Sequence, residues 1–296
     1  IAKKGEIIAL YPEARYSLCG TNAVLPQSLA KLVKHLNIPV VTLITKGHHI
    51  NSPFWNLEKR GNRTEADLKL IISKDEIGKM SVEEIDELIH KEFIYDDFKW
   101  QYDNKVRVKY KKRAEGLHKV LYQCPNCNTE YMMGSEGAEI FCKQCNKRWY
   151  MTEYGRLEAK EGNTEFAHIP DWYEWERAQV RKQIDDGTYY FDKQVRIDSL
   201  PNARGYIDLG KGRLIHNMEG FTLTGMSDGE EFMIEWPANR LYSCHIEYDY
   251  LGKYGDCVDL NTMNDTLYIY PEGEDFAVTK LSLATEELYK KLNDMD

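Results

Sequence analysis

Short apolar runs near the amino terminus predict an α/β arrangement. Residues 7–10 and 39–44 have the composition of strands buried on both faces. Between them, leucine and valine recur every three to four positions over 26–36, which predicts a helix with Pro26 in its first turn. Strand, helix and strand in this order predict a βαβ unit. The carboxyl end of its first strand then carries the polar turn 12–17.

Further along the chain the hydrophobic period changes twice. A strand is predicted over 66–73, and Ser81 with Glu84 has the spacing of a capping box, which predicts a helix to about residue 93. A third helix is predicted over 168–186. From residue 188 onward, short alternating runs between turn residues predict an antiparallel β domain, closed by a helix over 279–292. Its predicted strands are 189–197, 206–209, 213–216, 221–224, 232–236, 241–248, 257–260 and 267–270.

Composition limits the class of protein. A chain of 296 residues with 42% hydrophobic residues is long enough for two or three domains with ordinary cores. We find no apolar run near the roughly 20 residues of a spanning helix and no signal-peptide pattern, so any membrane contact is expected to be peripheral. Seven cysteines, four of them in two Cys-x-x-Cys pairs, are typical of metal binding in a reducing compartment, and the expected location is the cytoplasm.

The two Cys-x-x-Cys pairs predict a zinc ribbon. Cys124 and Cys127 precede Cys142 and Cys145 by a spacer of fourteen residues. Two thiolates two residues apart reach one metal from a tight turn, and two such turns joined by a hairpin supply closed tetrahedral coordination. A redox dithiol needs only one such pair on a thioredoxin-like helix, and a catalytic zinc needs an open position. Structural Zn²⁺ is therefore the predicted cofactor.

Basic and aromatic residues around the ribbon raise the question of an anionic partner. Four thiolates offset part of this positive charge, and the whole chain has a net charge of −9, which argues against nucleic acid as a partner. An anionic membrane surface needs fewer contacts and stays open, beside a purely structural ribbon. The basic residues are Lys105, Arg107, Lys109, Lys111, Lys112, Arg113, Lys119, Lys143, Lys147 and Arg148.

The polar turn near the amino terminus resembles a motif of the glycerolipid (lysophosphatidic acid type) acyltransferases. Tyr11-Pro12-Glu13-Ala14-Arg15-Tyr16-Ser17 is similar to their third motif, Phe-Pro-Glu-Gly-Thr-Arg-Ser, and Ile38-Pro39-Val40-Val41 is similar to their fourth. Two departures stand out: Ala14 replaces the glycine, and the arginine appears one position early, at Arg15. The resemblance covers about residues 1–110.

The resemblance implies transfer of an acyl group from a CoA or carrier-protein thioester to a lysophospholipid or glycerol phosphate. Arg15 would bind phosphate oxygens and Glu13 would orient the acceptor or hold Arg15. A plain surface Glu–Arg pair is the competing interpretation. His48 and His49 are interpreted as part of a polar loop, not as a catalytic or metal-binding pair.

The first motif of that family, a His and an Asp separated by four residues, does not occur in this sequence. We expect it upstream of Ile1, in a longer protein, so that no catalytic base is assigned here. The alternative is a non-catalytic, zinc-stabilised module that binds lipid or protein. The predicted division is an acyltransferase-like α/β part (1–115), the zinc ribbon (116–161), a linker helix (162–187) and the β-rich domain (188–296), whose seven or eight strands and helix resemble pleckstrin-homology or GRAM-like domains.

Overall fold

The computed structural model describes residues 4–13, 15–23, 25, 28–227 and 229–295. The chain forms two compact units. The first comprises residues 1–113, 151–158 and 167–170, and the second comprises 114–150, 159–166 and 171–296. Among the helices in the described ranges, none combines the length and the apolar composition that a membrane crossing requires. The fourfold division of the sequence remains a prediction.

The first unit consists mostly of short helices around a small apolar core. The predicted capping box starts the helix Val82–Glu92 (α4): Ser81 Oγ accepts the N–H of Glu84 at 3.1 Å, and the Glu84 carboxylate accepts the N–H of Ser81 at 2.7 Å. Ile85 and Ile89 of this helix pack with Ala30, Val33, Ile72 and Ile77. The elements are α1 (Ser28–Leu36), β1 (Val40–Lys46), α2 (His48–Asn51), β2 (Glu65–Ile72), α3 (Lys74–Ile77), α4 (Val82–Glu92) and α5 (Asp97–Asp103).

The predicted βαβ unit is wrong. Strand β1 pairs with β2 in an antiparallel sheet, and residues 7–10 lie outside the described strands, with Ile7 93% exposed. A run of four residues forms few ladder hydrogen bonds, and these do not offset the entropy of ordering it unless neighbouring strands flank it. Helix α1 agrees with the prediction from Ser28 onward. Pro26, expected in its first turn, lies outside the described residues, as does Ala14 of the polar turn.

One face of the β1–β2 sheet is apolar and exposed. Val41 lies opposite Leu70 and Leu43 lies opposite Leu68, so these four side chains share one face. Between 51% and 73% of each residue remains accessible. We call these four residues the β1–β2 apolar face. The prediction that this strand is buried on both faces is therefore wrong: Val41 and Leu43 are exposed, whereas Thr42 between them is buried.

The second unit contains a seven-stranded sheet in the order β10-β9-β8-β7-β13-β12-β11. Every neighbouring pair is antiparallel, which confirms the predicted antiparallel character. The predicted strands 206–209 and 213–216 are one strand, because Gly210 (φ 79°) accommodates a bulge opposite Ile197 and Asp198. The strands are β7 (Phe191–Ser199), β8 (Ile207–Asn217), β9 (Gly220–Ser227), β10 (Glu230–Pro237), β11 (His245–Glu247), β12 (Cys257–Asn261) and β13 (Thr266–Pro271).

Two helices and a small sheet complete the described fold. Helix α6 (Ile169–Asp185) and helix α7 (Val278–Leu292) agree with the predicted helices to within one residue. Helix α7 is buried on nearly all sides from Val278 to Leu288. The cysteine-containing segment forms a sheet in the order β3-β4-β5-β6. Its strands are β3 (Met133–Glu136), β4 (Glu139–Cys142), β5 (Arg148–Met151) and β6 (Leu157–Ala159).

Candidate functional site

The four cysteines of the two Cys-x-x-Cys pairs lie together. Their Sγ atoms are all within 4.8 Å of one another. Cys124 Sγ is 3.7 Å from Cys145 Sγ, and Cys127 Sγ is 3.7 Å from Cys142 Sγ. Four thiolates at about 2.3 Å from a tetrahedral zinc would be about 3.8 Å apart. The cluster is therefore positioned to bind a metal ion.

Two matching turns hold these thiols. In each, the N–H of the residue after the second cysteine donates to the carbonyl of the first: Asn128 to Cys124 at 2.8 Å and Asn146 to Cys142 at 2.9 Å. Both asparagines have left-handed backbones, with φ of 59° and 60°, and asparagine tolerates this conformation better than most residues. The asparagine that follows each Cys-x-x-Cys pair was a further sequence signal of matching metal-binding turns, which the prediction from cysteine spacing did not consider.

Helix α6 holds the first of these turns through the main chain of Gln123. The Gln123 N–H donates to the Glu176 carboxylate at 2.7 Å, and its carbonyl accepts the Trp172 indole N–H at 3.0 Å. Burial raises the pKa of Glu176 well above its usual value, against the lowering effect of the Gln123 N–H. Trp172 also contacts Trp149 of β5, with ring centroids 5.0 Å apart. The turn before Cys124 is thus fixed by a buried polar and aromatic contact.

The environments of the thiols differ. Burial raises the pKa of Cys124, whereas at Cys127 the raising effect of burial is outweighed, first by the Thr129 side chain, and the pKa falls to about 7. Four protein ligands fill a tetrahedron and leave no open position for a substrate. The chemistry of this donor set is that of a soft metal ion held for structure.

The polar turn of the first unit has its acidic and basic residues close together. Burial raises the pKa of Glu13, against the lowering effects of the Ala23 N–H and of Arg15. Both side chains are partly buried. Ser17 Oγ accepts the N–H of Gly20 at 2.9 Å and donates to the carbonyl of Thr21 at 2.6 Å, which closes the turn. The assignment of Glu13 and Arg15 to a substrate remains a prediction.

The polar turn contacts the segment that follows β1. Tyr16 stacks on Phe54, with centroids 5.1 Å apart. A Cβ atom at Gly20 would lie 3.0 Å from His49 Cδ2, so the turn approaches His49 at the limit of contact. The segment that resembles the third acyltransferase motif therefore contacts the residues that follow the fourth-motif segment, and both lie in the first unit.

His49 is not part of a polar loop. Its ring centroid is 5.2 Å from that of Trp55 and 5.8 Å from that of Phe98, and its Nε2 is buried without a hydrogen-bond partner. Burial, helped by the charge of Arg60, lowers the pKa of His49 to about 3. The imidazole is therefore neutral at pH 7. The sequence interpretation failed because Phe98, which covers the ring, lies far away along the chain.

Arg60 is a residue that the sequence analysis did not identify. Its guanidinium carbon is 5.9 Å from the Trp55 ring and 5.8 Å from the Tyr110 ring. Its Nε and Nη2 atoms are buried and have no hydrogen-bond partner. Burial lowers the pKa of Arg60 to about 10, which leaves it charged at pH 7. Nothing in the sequence around Arg60 separates it from the exposed Arg63.

Several of the basic residues that suggested an anionic partner are paired with carboxylates. In the second unit, Lys119 pairs with Asp256 at 2.7 Å, Arg148 with Glu139 at 2.8 Å, and Lys147 with Glu165. In the first unit, Arg107 pairs with Glu153. These pairs reduce the free positive charge available to a polyanion.

Comparison with known proteins gives no relative. No family model, no curated protein and no solved structure matches the chain.

Proposed function

We propose that the first unit supplies the acceptor-binding part of a glycerolipid acyltransferase site. The observation that supports this proposal is the contact between the polar turn, with Glu13 and Arg15, and the segment after β1, through Tyr16 on Phe54. Each of these segments belongs to, or follows, a stretch that resembles an acyltransferase motif. The proposed acceptor is a lysophospholipid or glycerol phosphate, and the proposed donor is an acyl thioester of CoA or carrier protein.

The proposed roles follow from charge. The Arg15 guanidinium binds phosphate oxygens of the acceptor in a bidentate manner, and Glu13 positions Arg15 or the acceptor hydroxyl. The base that takes the hydroxyl proton is not assigned, since the 296 residues contain no His and Asp separated by four residues. The proposal therefore concerns binding and orientation of the acceptor, and no proton transfer is assigned to this chain.

The test is an acyl-transfer assay on the full-length protein. Labelled acyl-CoA and acyl carrier protein are each supplied with lysophosphatidic acid or glycerol 3-phosphate. Arg15→Ala is expected to raise the acceptor KM or to lower kcat, while Arg240→Ala, a change of equal charge in the second unit, leaves both unchanged. Unaltered kinetics in Arg15→Ala would reject the phosphate role, and absence of any acyl transfer would reject the reaction.

We further propose that the four cysteines bind one structural Zn²⁺. The observation that supports it is the tetrahedral spacing of the Sγ atoms. Metal analysis of the purified chain should give one zinc per molecule, and Cys127→Ser should reduce it. Cys244→Ser is the control, because Cys244 is also a thiol of the second unit but lies near the Thr285 hydroxyl and outside the cluster. Equal zinc contents in both variants would contradict the site.

A second candidate is a non-catalytic module that binds a lipid surface or a protein. It is favoured by the exposed β1–β2 apolar face. The seven-stranded sheet with α7 would then act as a module of pleckstrin-homology or GRAM-like type. Sedimentation with vesicles of neutral and anionic lipid distinguishes this binding module from the acyltransferase proposed above. Binding that is unaffected by Arg15→Ala but lost in Leu43→Ser and Leu68→Ser variants would support this candidate.

A further inference from the structure

We propose that Arg60, together with Trp55 and His49, forms a binding site for a phosphate group in the first unit. Four nitrogen atoms of these residues are buried without a hydrogen-bond partner: Arg60 Nε and Nη2, Trp55 Nε1 and His49 Nε2. The residues are neighbours, since Trp55 contacts both the His49 ring and the Arg60 guanidinium. The Glu13 and Arg15 turn described above does not include any of them.

A guanidinium without acceptors is costly inside a protein. Each buried N–H that loses water without gaining a partner costs about 1–3 kcal/mol, and more when the group is charged. Arg60 forms no ion pair among the described residues, and its two ring contacts supply only cation–π attraction. Trp55 adds an indole N–H in a residue that is only 5% exposed. An external anion would supply an acceptor that these donors lack.

The nearby carboxylates are already engaged. Glu58 accepts the Tyr110 hydroxyl, and Asp96 lies 2.6 Å from His168 Nε2. Asp97 accepts the N–H groups of Gly47 and Ile50 and the hydroxyl of Tyr95. None of these side chains supplies the acceptor that Arg60 lacks. Arg60 as a whole residue is only partly buried, but its Nε and Nη2 atoms are not exposed, so an anion reaches them only when the side chains that cover them move.

The donor set fits a phosphate monoester. The planar fork of Nε and Nη2 matches two phosphate oxygens, and the indole N–H supplies a third hydrogen bond. His49 is neutral and can donate through Nε2 in one tautomer. The binding of a phosphate does not depend on the proposed function, but the source of that phosphate does. The source would be either the acyl acceptor or the nucleotide part of a CoA donor. Both sources present the same chemical group.

Binding to the purified 296-residue chain is measured by isothermal titration calorimetry. The ligands are inorganic phosphate, glycerol 3-phosphate, adenosine 3′,5′-bisphosphate and uncharged glycerol. Arg60→Gln is expected to weaken phosphate binding about tenfold or more, because it removes two charge-assisted hydrogen bonds. Arg63→Gln is the matched control: Arg63 has the same charge but pairs with Glu65 at 3.1 Å and is exposed. The phosphate affinity of Arg63→Gln should remain within about twofold of that of the unchanged chain.

A third variant protects the test against misfolding. Trp55→Phe keeps the aromatic ring and removes only the Nε1 donor, so it should fold and still weaken phosphate binding. The proposal is overturned if phosphate does not bind, if Arg60→Gln binds as the unchanged chain does, or if Arg60→Gln and Arg63→Gln weaken binding equally.

Preference for glycerol 3-phosphate over adenosine 3′,5′-bisphosphate assigns the site to the acceptor, and the reverse preference assigns it to the donor. Arg60-dependent phosphate binding without acyl transfer would retain this site and reject the proposed reaction.

Discussion

The two units differ in how far they bury the apolar side chains of their strands. In the second unit, seven strands, α6 and α7 bury many of their apolar side chains, although Ile207, Met226 and Met233 remain exposed, and a cysteine cluster ties two turns together. In the first unit, β1 and β2 have equally apolar residues, but the β1–β2 apolar face stays exposed. The comparison shows that alternation specifies which residues share a face, whereas burial depends on a covering element that the local sequence does not describe.

The largest expected difference concerns metal. Removing zinc with a strong chelator should destabilise the second unit by at least about 5 kcal/mol, since structural zinc contributes about 10–16 kcal/mol in isolated zinc-finger peptides. The first unit contains none of the four cysteines. Hydrogen exchange should therefore increase at Trp149 and remain unchanged at Ile85. Equal increases in both units would show that their stabilities are not independent.

The next effect concerns a buried ion pair. Arg177 Nη1 lies 2.6 Å from Glu286, whose side chain is 2% exposed. Arg177→Met should destabilise the second unit by about 3–5 kcal/mol, because the buried Glu286 loses the positive charge of Arg177. The control is Lys99→Met in the exposed Lys99–Asp103 pair of the first unit, expected to cost less than about 0.5 kcal/mol. Urea unfolding measures both, and similar losses would contradict the distinction.

A buried histidine should make the second unit sensitive to acid. His216 is stacked on Phe221 and bonded to the Tyr189 hydroxyl at 2.8 Å, and burial lowers its pKa to about 3. Between pH 6.5 and 3 the unfolded state binds a proton that the folded state does not. Stability should thus fall with decreasing pH by up to about 1.4 kcal/mol per pH unit, with no contribution above pH 7.

His216→Gln should reduce this slope, as measured from urea midpoints between pH 7 and pH 4. An unchanged slope in the variant would mean that other groups cause it.

The smallest expected effect is on the β1–β2 apolar face. Leu43→Ser and Leu68→Ser should each change the stability of the first unit by less than about 0.5 kcal/mol, because both side chains are already exposed to water. Ile85→Ala, in the core of the same unit, is the comparison and should cost about 2–5 kcal/mol. A loss above about 2 kcal/mol in Leu68→Ser would show that another surface covers this face in solution.

The sequence predicted features that depend on neighbouring residues. Cysteine spacing indicated the cluster, the Ser81 and Glu84 pattern located the start of α4, and alternation located the strands β7 to β13. The sequence did not predict the pairing of β1 with β2, because the partner of a strand depends on residues that are distant in the chain. The bulge at Gly210 was interpreted as a gap between two strands. One glycine at positive φ interrupts the alternation of side chains, but the hydrogen bonds between the strands continue past it.

The candidate sites divide in the same way. The four cysteines are close in the chain and were found from it. The setting of His49 and Arg60 depends on Trp55, Phe98 and Tyr110, which no local pattern connects. The roles of Glu13 and Arg15 remain a prediction, because they come from a resemblance.

The cysteine cluster also bears on the order in which the second unit folds. Cys124 and Cys145 are 21 positions apart, whereas Arg177 and Glu286 are 109 positions apart. Closing a short loop is faster and loses less entropy than closing a long one. A metal bound at the cluster would order this segment during synthesis, before α7 has been made. The metal site would then serve as an early template on which α6, and later α7, assemble.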